Sequence, residues 1–460
     1  MVTRIHNTGG TAYYVGGYVR DKIIGREHKD IDIEVHGLTI IELQTILQDY
    51  GTVLTLGKIY GILRIAGTTI DWSLPRIDQP GRKPEVIINT HLSIQDSLAR
   101  RDLTMNAIAQ RINTGEIIDP FHGINDIKTA TLRTPNPDFF IQDPLRFYRV
   151  MHFISRFKMK PDDTLHKLCA TMDLSGISQE RISAEFNKLL LDSIRPSLGL
   201  RWLASLGRIH ELFPELGAMI GIKQPQQYHP EGDVFEHTMQ TLDHMAWQLR
   251  CPDYTPLYWA GIPQQYTQQQ KRILLYAALC HDMGKPVTTT TIDGHIRSLQ
   301  HEIIGQNIAR NFLHRITHEH DLVHHVVRLI RWHMQPGQFG ATNVSDAAYK
   351  KLASRLTPST FTELLELACA DYSARQNTTT KNIKGYCGWI LYAAAATIHR
   401  LTIMQEPIKS LLNGHDLMDY GFTNKALGLE LKRAYKVQIE HDINDKQILV
   451  SLLGYTFKKK

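Results

Sequence analysis

Two periodicities divide the chain. In its first 138 residues, short runs of β-branched and apolar residues recur between polar turns: AYYVGG from Ala12, DIDIEV from Asp30, GILRIAG from Gly61, TIDWSL from Thr69 and EVIIN from Glu85. A period of two over so few residues marks strands, so these runs predict an α/β or α+β unit. Beyond the turn-rich TPNPD at 134–138 that pattern stops, and apolar positions recur three and four apart towards the C-terminus. The remainder is therefore expected to be all-α. Polar, proline-containing breaks fall at 223–233 and 251–270, with a further polar break at 374–385. The first is expected to be a domain boundary and the others loops. At roughly 100 to 200 residues per domain, 460 residues predict two to four domains. The segments suggested are 1–138, 139–222, 223–395 and 396–460.

The strand pattern puts charged chemistry on one face. Val15-Gly16-Gly17-Tyr18-Val19-Arg20-Asp21 follows the first strand and opens a helix, where glycine lets backbone N–H groups approach a polyphosphate. In Asp30-Ile31-Asp32-Ile33-Glu34-Val35, alternation places three carboxylates on a face expected to be solvated and three aliphatic side chains in the core. An isolated Asp-x-Asp is usually a solvated strand face and nothing more. Beside a phosphate-binding turn, Asp30 and Asp32 are instead placed to hold Mg²⁺ against a nucleotide, and Asp71 offers a third carboxylate. Arg100-Arg101-Asp102-Leu103-Thr104-Met105-Asn106 gathers cationic, anionic and amide groups at a helix start; ribose and triphosphate contacts are the functional reading, a capping cluster the bland one. Asp143 followed by Pro144 starts another helix, with Arg146 and Arg149 on the face of Asp143. A carboxylate and a guanidinium there can imitate a Watson–Crick edge, against the alternative of a surface ion pair.

These segments together resemble the bacterial class II tRNA nucleotidyltransferases, the CCA-adding enzymes. VGGYVRD with DID is similar to that family's first motif, RRDLTMNAIA to its second, IIDPFHGINDI (117–127) to its third and QDPLRFYR (142–149) to its nucleotide-selecting helix; SQERISAEFNKLL (178–190) is similar to the helix that follows. The resemblance implies a polymerase-β-like head followed by all-α neck, body and tail. It implies Asp30 and Asp32 as catalytic carboxylates holding two Mg²⁺, and Gly16, Gly17, Arg20, Arg101, Asp102 and Asn106 around the triphosphate and sugar. Asp143, Arg146 and Arg149 would select CTP and ATP for addition to tRNA. The family's Glu is here Gln142, a neutral amide expected to support Arg146 less firmly.

Histidine is unevenly spread: 12 of 23 lie in the 105 residues from His229 to His333, which asks for a local role for imidazole. His237 is in phase with Val234, Thr241 and Met245; His301 with Ile304, Ile308 and Phe312; His333 with Val326, Leu329 and Ile330; Asp371 with Leu364, Leu367 and Ala368. His281-Asp282 ends the apolar run RILLYAALC. Each is expected to face a core. A lone inward His is commonly a hydrogen-bonded core residue, whereas an inward Asp is costly without a cation. The ordered set His237, His281, Asp282, His301, His333 and Asp371 resembles the HD phosphohydrolase superfamily, with a degenerate scaffold as the bland alternative. That resemblance implies six metal ligands, with His281 and Asp282 catalytic, and a phosphoesterase for RNA-end repair, 2′,3′-cyclic phosphates included. Imidazole with carboxylate suits Mn, Ni, Co, Fe or Zn. From His399 onward the chain is similar to the helices with which CCA-adding enzymes hold the tRNA elbow, with Lys432, Arg433 and Lys436 as a basic face.

Composition narrows the class without choosing it. With 42% hydrophobic and 21% charged residues, long disordered stretches are not expected, and 52 Lys and Arg against 46 Asp and Glu give a mild basic bias suited to an anionic partner. Cys169, Cys251, Cys280, Cys369 and Cys387 contain no Cys-x-x-Cys pair, so neither a disulfide framework nor a thiolate zinc site is indicated. The start MVTRIHNTGG has no apolar signal region, and the longest apolar stretch is half the roughly 20 residues that span a bilayer. A soluble, cytoplasmic protein, monomeric or homodimeric, is expected. A poly(A) polymerase or an enzyme adding only CC or only A shares the head motifs, and an RNA-binding protein with vestigial sites is the rival from another class. The HD segment speaks against the polymerase, and intact Asp30, Asp32, Arg101 and Asp143 against the vestigial reading.

Overall fold

The computed structural model describes residues 1–26, 30–56, 61–78, 86–251, 265–342, 344–375 and 386–455. They form two compact units, one of residues 1–193 with 198–208 and one of 194–197 with 209 onward. Most of the two expected loops at 251–270 and 374–385 lies outside the described residues, as does Glu85.

In the first unit a seven-stranded sheet runs in the spatial order Val53–Leu56, Ile62–Ile65, Ile70–Ser73, Ile31–His36, Thr11–Val15, Ala109–Arg111, Ile117–Ile118. Ile31–His36 pairs with Thr11–Val15 antiparallel and with Ile70–Ser73 parallel. The parallel register sets Asp32 beside Asp71. Four of the five expected strands lie in this sheet; the fifth, Val86–Ile88, pairs instead with Arg76–Asp78. Ile33 and Val35 enter a core with Leu43, Ile46, Leu47, Leu63, Trp72 and Leu74, as alternation requires. Helix Ile40–Gln48 supplies three of these. Thr39 and Glu42 cap its start reciprocally, each side chain accepting the other's backbone N–H. Helices Leu145–Phe157 and Gln179–Asp192 pack together, burying Phe147, Val150 and Met151 from one and Phe186, Leu189 and Leu190 from the other.

The second unit is helical with one correction. Thr289–Ile292 and His295–Ser298 form an antiparallel hairpin where only helix was expected. Asp293 and Gly294 turn it with φ of 50° and 75°, the left-handed pair whose twist matches a two-residue hairpin. Short pairing of Thr131–Leu132 with Lys160–Pro161 is a second departure from the all-α expectation past residue 138. The helical phase of His301–Ile316 is also displaced: its buried face is His301, Gly305, Ala309 and Phe312, while Ile304 is 41% exposed.

Position 395 falls inside helix Tyr386–Arg400 and 138 inside Pro137–Phe140, so elements continue through both suggested boundaries. Segment 223–233, expected as a boundary, lies within the second unit. The last helices, Gly414–Asp419, Asn424–Glu440 and Lys446–Leu453, share a core of Leu412, Leu417, Ala434, Leu449 and Leu453. No helix among the described residues is long and apolar enough to cross a membrane.

Candidate active site and candidate metal centre

A cavity of about 810 Å³ in the first unit collects the head residues singled out from sequence: Gly16, Gly17, Arg20, Asp30, Asp32, Asp71, Arg101, Asp102, Asn106, Asp143, Arg146 and Arg149 all line it. The turn at its edge depends on glycine. Gly16 has φ 66°, and a Cβ there would lie 2.6 Å from Arg101 Nη1 and 3.8 Å from Asp32 Oδ2. A side chain would be strained in backbone and would displace the arginine. Asp30 and Asp32 are exposed, whereas Asp71 is held by Arg64, whose Nε and Nη2 donate to its two oxygens at 2.6 and 2.8 Å.

Glu34 corrects the expectation of a solvated carboxylate face. It is 7% exposed, accepts from Ser97 Oγ at 2.7 Å, and lies 2.8 Å from His36 Nε2 and 3.8 Å from Arg101 Nη2. Burial opposes its charge, but His36, Arg101 and Ser97 together hold the carboxyl below the ordinary range.

Behind the carboxylates a polar chain fixes the residues expected beside the sugar. Arg20 donates Nε to Asp21 at 2.7 Å and Nη1 to Asn106 Oδ1 at 2.7 Å; Asn106 Nδ2 donates to Asp102 Oδ1 at 3.0 Å, and Arg149 Nη2 stands 2.9 Å from Asp102 Oδ2. These partners assign the Asn106 amide orientation. Burial raises the Asp102 carboxyl, but Arg149, Asn106 and Arg146 outweigh it and leave it lowered. Thr104–Asn106 is a single 3₁₀ turn.

The residues expected to read the base share the cavity, yet the structure gives Asp143 and Arg146 other partners. Arg146 donates Nη1 to the Phe139 carbonyl at 2.6 Å and Nη2 to the Arg100 carbonyl at 2.7 Å. Asp143 accepts from the Leu145 N–H at 3.2 Å and from Arg181 Nη2 at 3.1 Å. Gln142 is exposed. Sequence reasoning passed over Arg64 and Ser97, which line the cavity, and Arg181, which pairs with Asp143. Only Arg181 carried a signal, its place in the SQERISAEF helix.

In the second unit five helical elements converge on a buried cluster. Val234–Gln248 presents His237, Gln268–Cys280 ends at His281 and Asp282, His301–Ile316 starts with His301, His320–Trp332 is followed by His333, and Phe361–Ala374 carries Asp371. None of the six is more than 5% exposed. They fall into two triads, His237, His281, Asp371 and Asp282, His301, His333, in each of which the ligand atoms lie within 4.8 Å of one another. Asp282 joins them, with Oδ2 3.3 Å from His281 Nε2 and Oδ1 3.4 Å from His301 Nε2. Gly284 lets the elements approach: a Cβ there would sit 2.1 Å from the His301 carbonyl oxygen.

Hydrogen bonding decides the tautomers. His281, His301 and His333 lie with Nδ1 2.8 to 2.9 Å from the carbonyls of Ala278, Ser298 and Ile330, which can only accept. Nδ1 therefore carries a proton, which in the neutral imidazole leaves the lone pair on Nε2. Those Nε2 atoms point inward; His301 and His333 bring theirs within 3.4 Å, as do His237 and His281. With the rings neutral, those inward nitrogens and the two buried carboxylates form a set of electron-pair donors that fits a metal. His333 is pushed down to about 3 by burial and by His301 and His281. Burial opposes ionisation of Asp282 and Asp371, but His281 and Lys285 beside the first, and Arg375 and His237 beside the second, hold both well below the carboxylate range.

The supporting residues were not legible. Glu231 receives Nδ1–H from both His229 and His237, at 2.9 and 2.7 Å, which holds its carboxyl at about 2 despite burial. Lys285 Nζ is 2.7 Å from Asp282 Oδ2 and donates to Gln224 Oε1.

Comparison with known proteins agrees with both geometries. The Poly A polymerase head domain matches residues 12–133, the HD domain 234–359, and the probable RNA and SrmB-binding site of polymerase A 163–220. The chain is 28% identical over 444 residues to the multifunctional CCA protein of Pasteurella multocida, covering 93% of this chain and 96% of that one. To the multifunctional CCA protein of Neisseria meningitidis serogroup A it is 30% identical over 396 residues, covering 84% and 87%. Its fold is similar to that of the Bacillus stearothermophilus CCA-adding enzyme crystallised with CTP, at TM-score 0.63 and 19% identity over 98% of this chain and 95% of that one.

Proposed function

The chain belongs to the multifunctional CCA protein family, and from that premise we propose that it adds C, C and A to the 3′ end of tRNA from CTP and ATP without a nucleic-acid template, and hydrolyses phosphoesters at a second site. The observation that carries the first activity is the gathering of twelve motif residues on one cavity. Asp30 and Asp32 would hold Mg²⁺, whose oxygen preference they meet, and the cation supplies Lewis acidity for phosphoryl transfer. Backbone N–H groups at Gly16 and Gly17 receive the polyphosphate. The Arg20, Asn106, Asp102 and Arg149 chain fixes the polar wall beside the sugar, and Asp143 with Arg146 offers the base an acceptor and a donor.

The histidine–aspartate cluster supports the second activity. Its six residues would hold a transition metal, with two triads giving room for two cations, and the metal supplies Lewis acidity for phosphoester hydrolysis. Lys285 places a positive charge beside Asp282, where an anionic substrate is drawn in.

The deciding experiment incubates tRNA lacking its 3′ end with each NTP separately and together, reading products at single-nucleotide resolution. CTP alone should extend by CC, and CTP with ATP by CCA. A run of A from ATP alone would point to a poly(A) polymerase, and tRNA binding without any extension to a vestigial enzyme.

A further inference from the structure

The strongest feature outside both sites is a cavity of about 900 Å³ formed by the 223–233 segment and the hairpin tip Gly294–Arg297. His229, 9% exposed, stands in its wall with its ring centroid 4.8 Å from that of His237 in the cluster, and the Glu231 carboxylate bridges the two rings. Gln224 stands in the same wall. Its Oε1 accepts from Lys285, the residue beside Asp282. Gln224 thereby links the cavity wall to Lys285 and, through it, to Asp282.

The mouth is cationic. Lys223 and Arg297 are exposed, and neither has an ion-pair partner among the described residues. Asp233 is the acid in the lining, but its oxygens are committed to the N–H groups of Gly221 and Glu236. Tyr228, 61% exposed, adds an aromatic face. Cations beside an exposed aromatic ring are the combination that single-stranded nucleic acid recognition uses, with phosphates on the cations and a base on the ring.

We propose that this cavity is the RNA-end pocket of the phosphohydrolase, taking the last nucleosides of an RNA whose terminal phosphate is presented to the histidine–aspartate cluster. Tyr228 stacks on a base, and Lys223 and Arg297 hold backbone phosphates. The proposal rests on the phosphohydrolase reading above.

The test compares the full-length wild type with the Lys223→Ala/Arg297→Ala double variant. Substrates are a short RNA ending in a 2′,3′-cyclic phosphate and bis(p-nitrophenyl) phosphate, which has no nucleoside. The ratio of kcat/KM for the RNA over that for the small ester should fall about tenfold or more, chiefly through KM, as expected for losing charge-assisted contacts. Tyr228→Ala should lower the same ratio without changing charge. Calorimetric binding of 3′-deoxy-3′-(phosphonomethyl)adenosine, whose P–C linkage cannot be hydrolysed, should weaken in the double variant. The head's nucleotide site is common to both proteins, so only the difference is read, and nucleotide addition to tRNA reports that each is folded. Equal ratios and equal affinities would overturn the pocket while leaving the phosphohydrolase in place. Weakened binding in the variant with no hydrolysis by the wild type would overturn the phosphohydrolase and leave a nucleotide pocket.

Discussion

Gly16 and Arg101 interlock so closely that one methyl group tests the head site. An added Cβ would meet Arg101 Nη1 at 2.6 Å, on a backbone with φ 66°. Gly16→Ala should therefore lower stability by about 1 kcal/mol and, by moving Arg101, reduce CCA addition by about tenfold or more. Thermal melting and single-nucleotide addition read the two effects separately; unchanged addition would show that Arg101 does not need its present position. Arg146 makes a different case. Its guanidinium is held by two backbone carbonyls, which a side-chain substitution at Gln142 leaves in place. Gln142→Glu should thus shift misincorporation of GTP and UTP by less than about threefold, the scale of an exposed charge pair. Arg146→Ala should cost about a hundredfold in addition, the scale of losing a positioned contact. A larger effect at Gln142 than at Arg146 would reverse this assignment.

At the scale of elements, the sequence disclosed what short-range periodicity encodes and hid what long-range pairing decides. Alternation separated Ile33 and Val35 from Asp30 and Asp32 because neighbouring strand residues face opposite ways. It could not show that Glu34 is covered by Ser97 and Arg101, which arrive from 63 and 67 positions away, nor that parallel pairing sets Asp32 beside Asp71. The hairpin at 289–298 has polar residues on both faces and so no alternation; its Asp293-Gly294 turn was the available signal. Segment 223–233 looks like a linker because three of its eleven residues are Gln and two are Pro, yet from it Glu231 contacts His237 of the cluster and Gln224 contacts Lys285. In the C-terminal helices, Arg433 is paired with Glu430 and Lys436 with Glu440, leaving Lys432 as the exposed cation of the three without such a partner among the described residues. If this face holds tRNA, truncation after Glu406, past the buried Ile403 and Met404, should weaken tRNA binding by about tenfold and flatten its salt dependence. Lys432→Ala should cost more than Arg433→Ala. Equal affinities for truncated and full-length protein across a salt titration would remove the tail from tRNA binding.

At the scale of the whole molecule, each compact unit carries one site, and the two sites ask different things of a cation. Asp30 and Asp32 are exposed oxygens that water can serve in the absence of metal. The histidine–aspartate cluster instead buries Asp282 and Asp371 among inward-facing imidazoles, so a cation there would stabilise the fold as well as the reaction. Chelator treatment should abolish both activities. Mg²⁺ should restore CCA addition, while hydrolysis should return only with Mn, Co or Ni, because imidazole donors favour those ions. The same ions should raise the melting temperature of the chelated protein, since binding to the folded state alone is worth about 2.7 kcal/mol at a hundred times the dissociation constant. His281→Ala or Asp282→Ala should lose hydrolysis and the metal-dependent rise in melting, yet continue CCA addition with Mg²⁺. The melting measurement does not depend on knowing the substrate. If none of these ions raises the melting temperature or supports hydrolysis by the wild type, the inward histidines are core residues and the second unit is a scaffold.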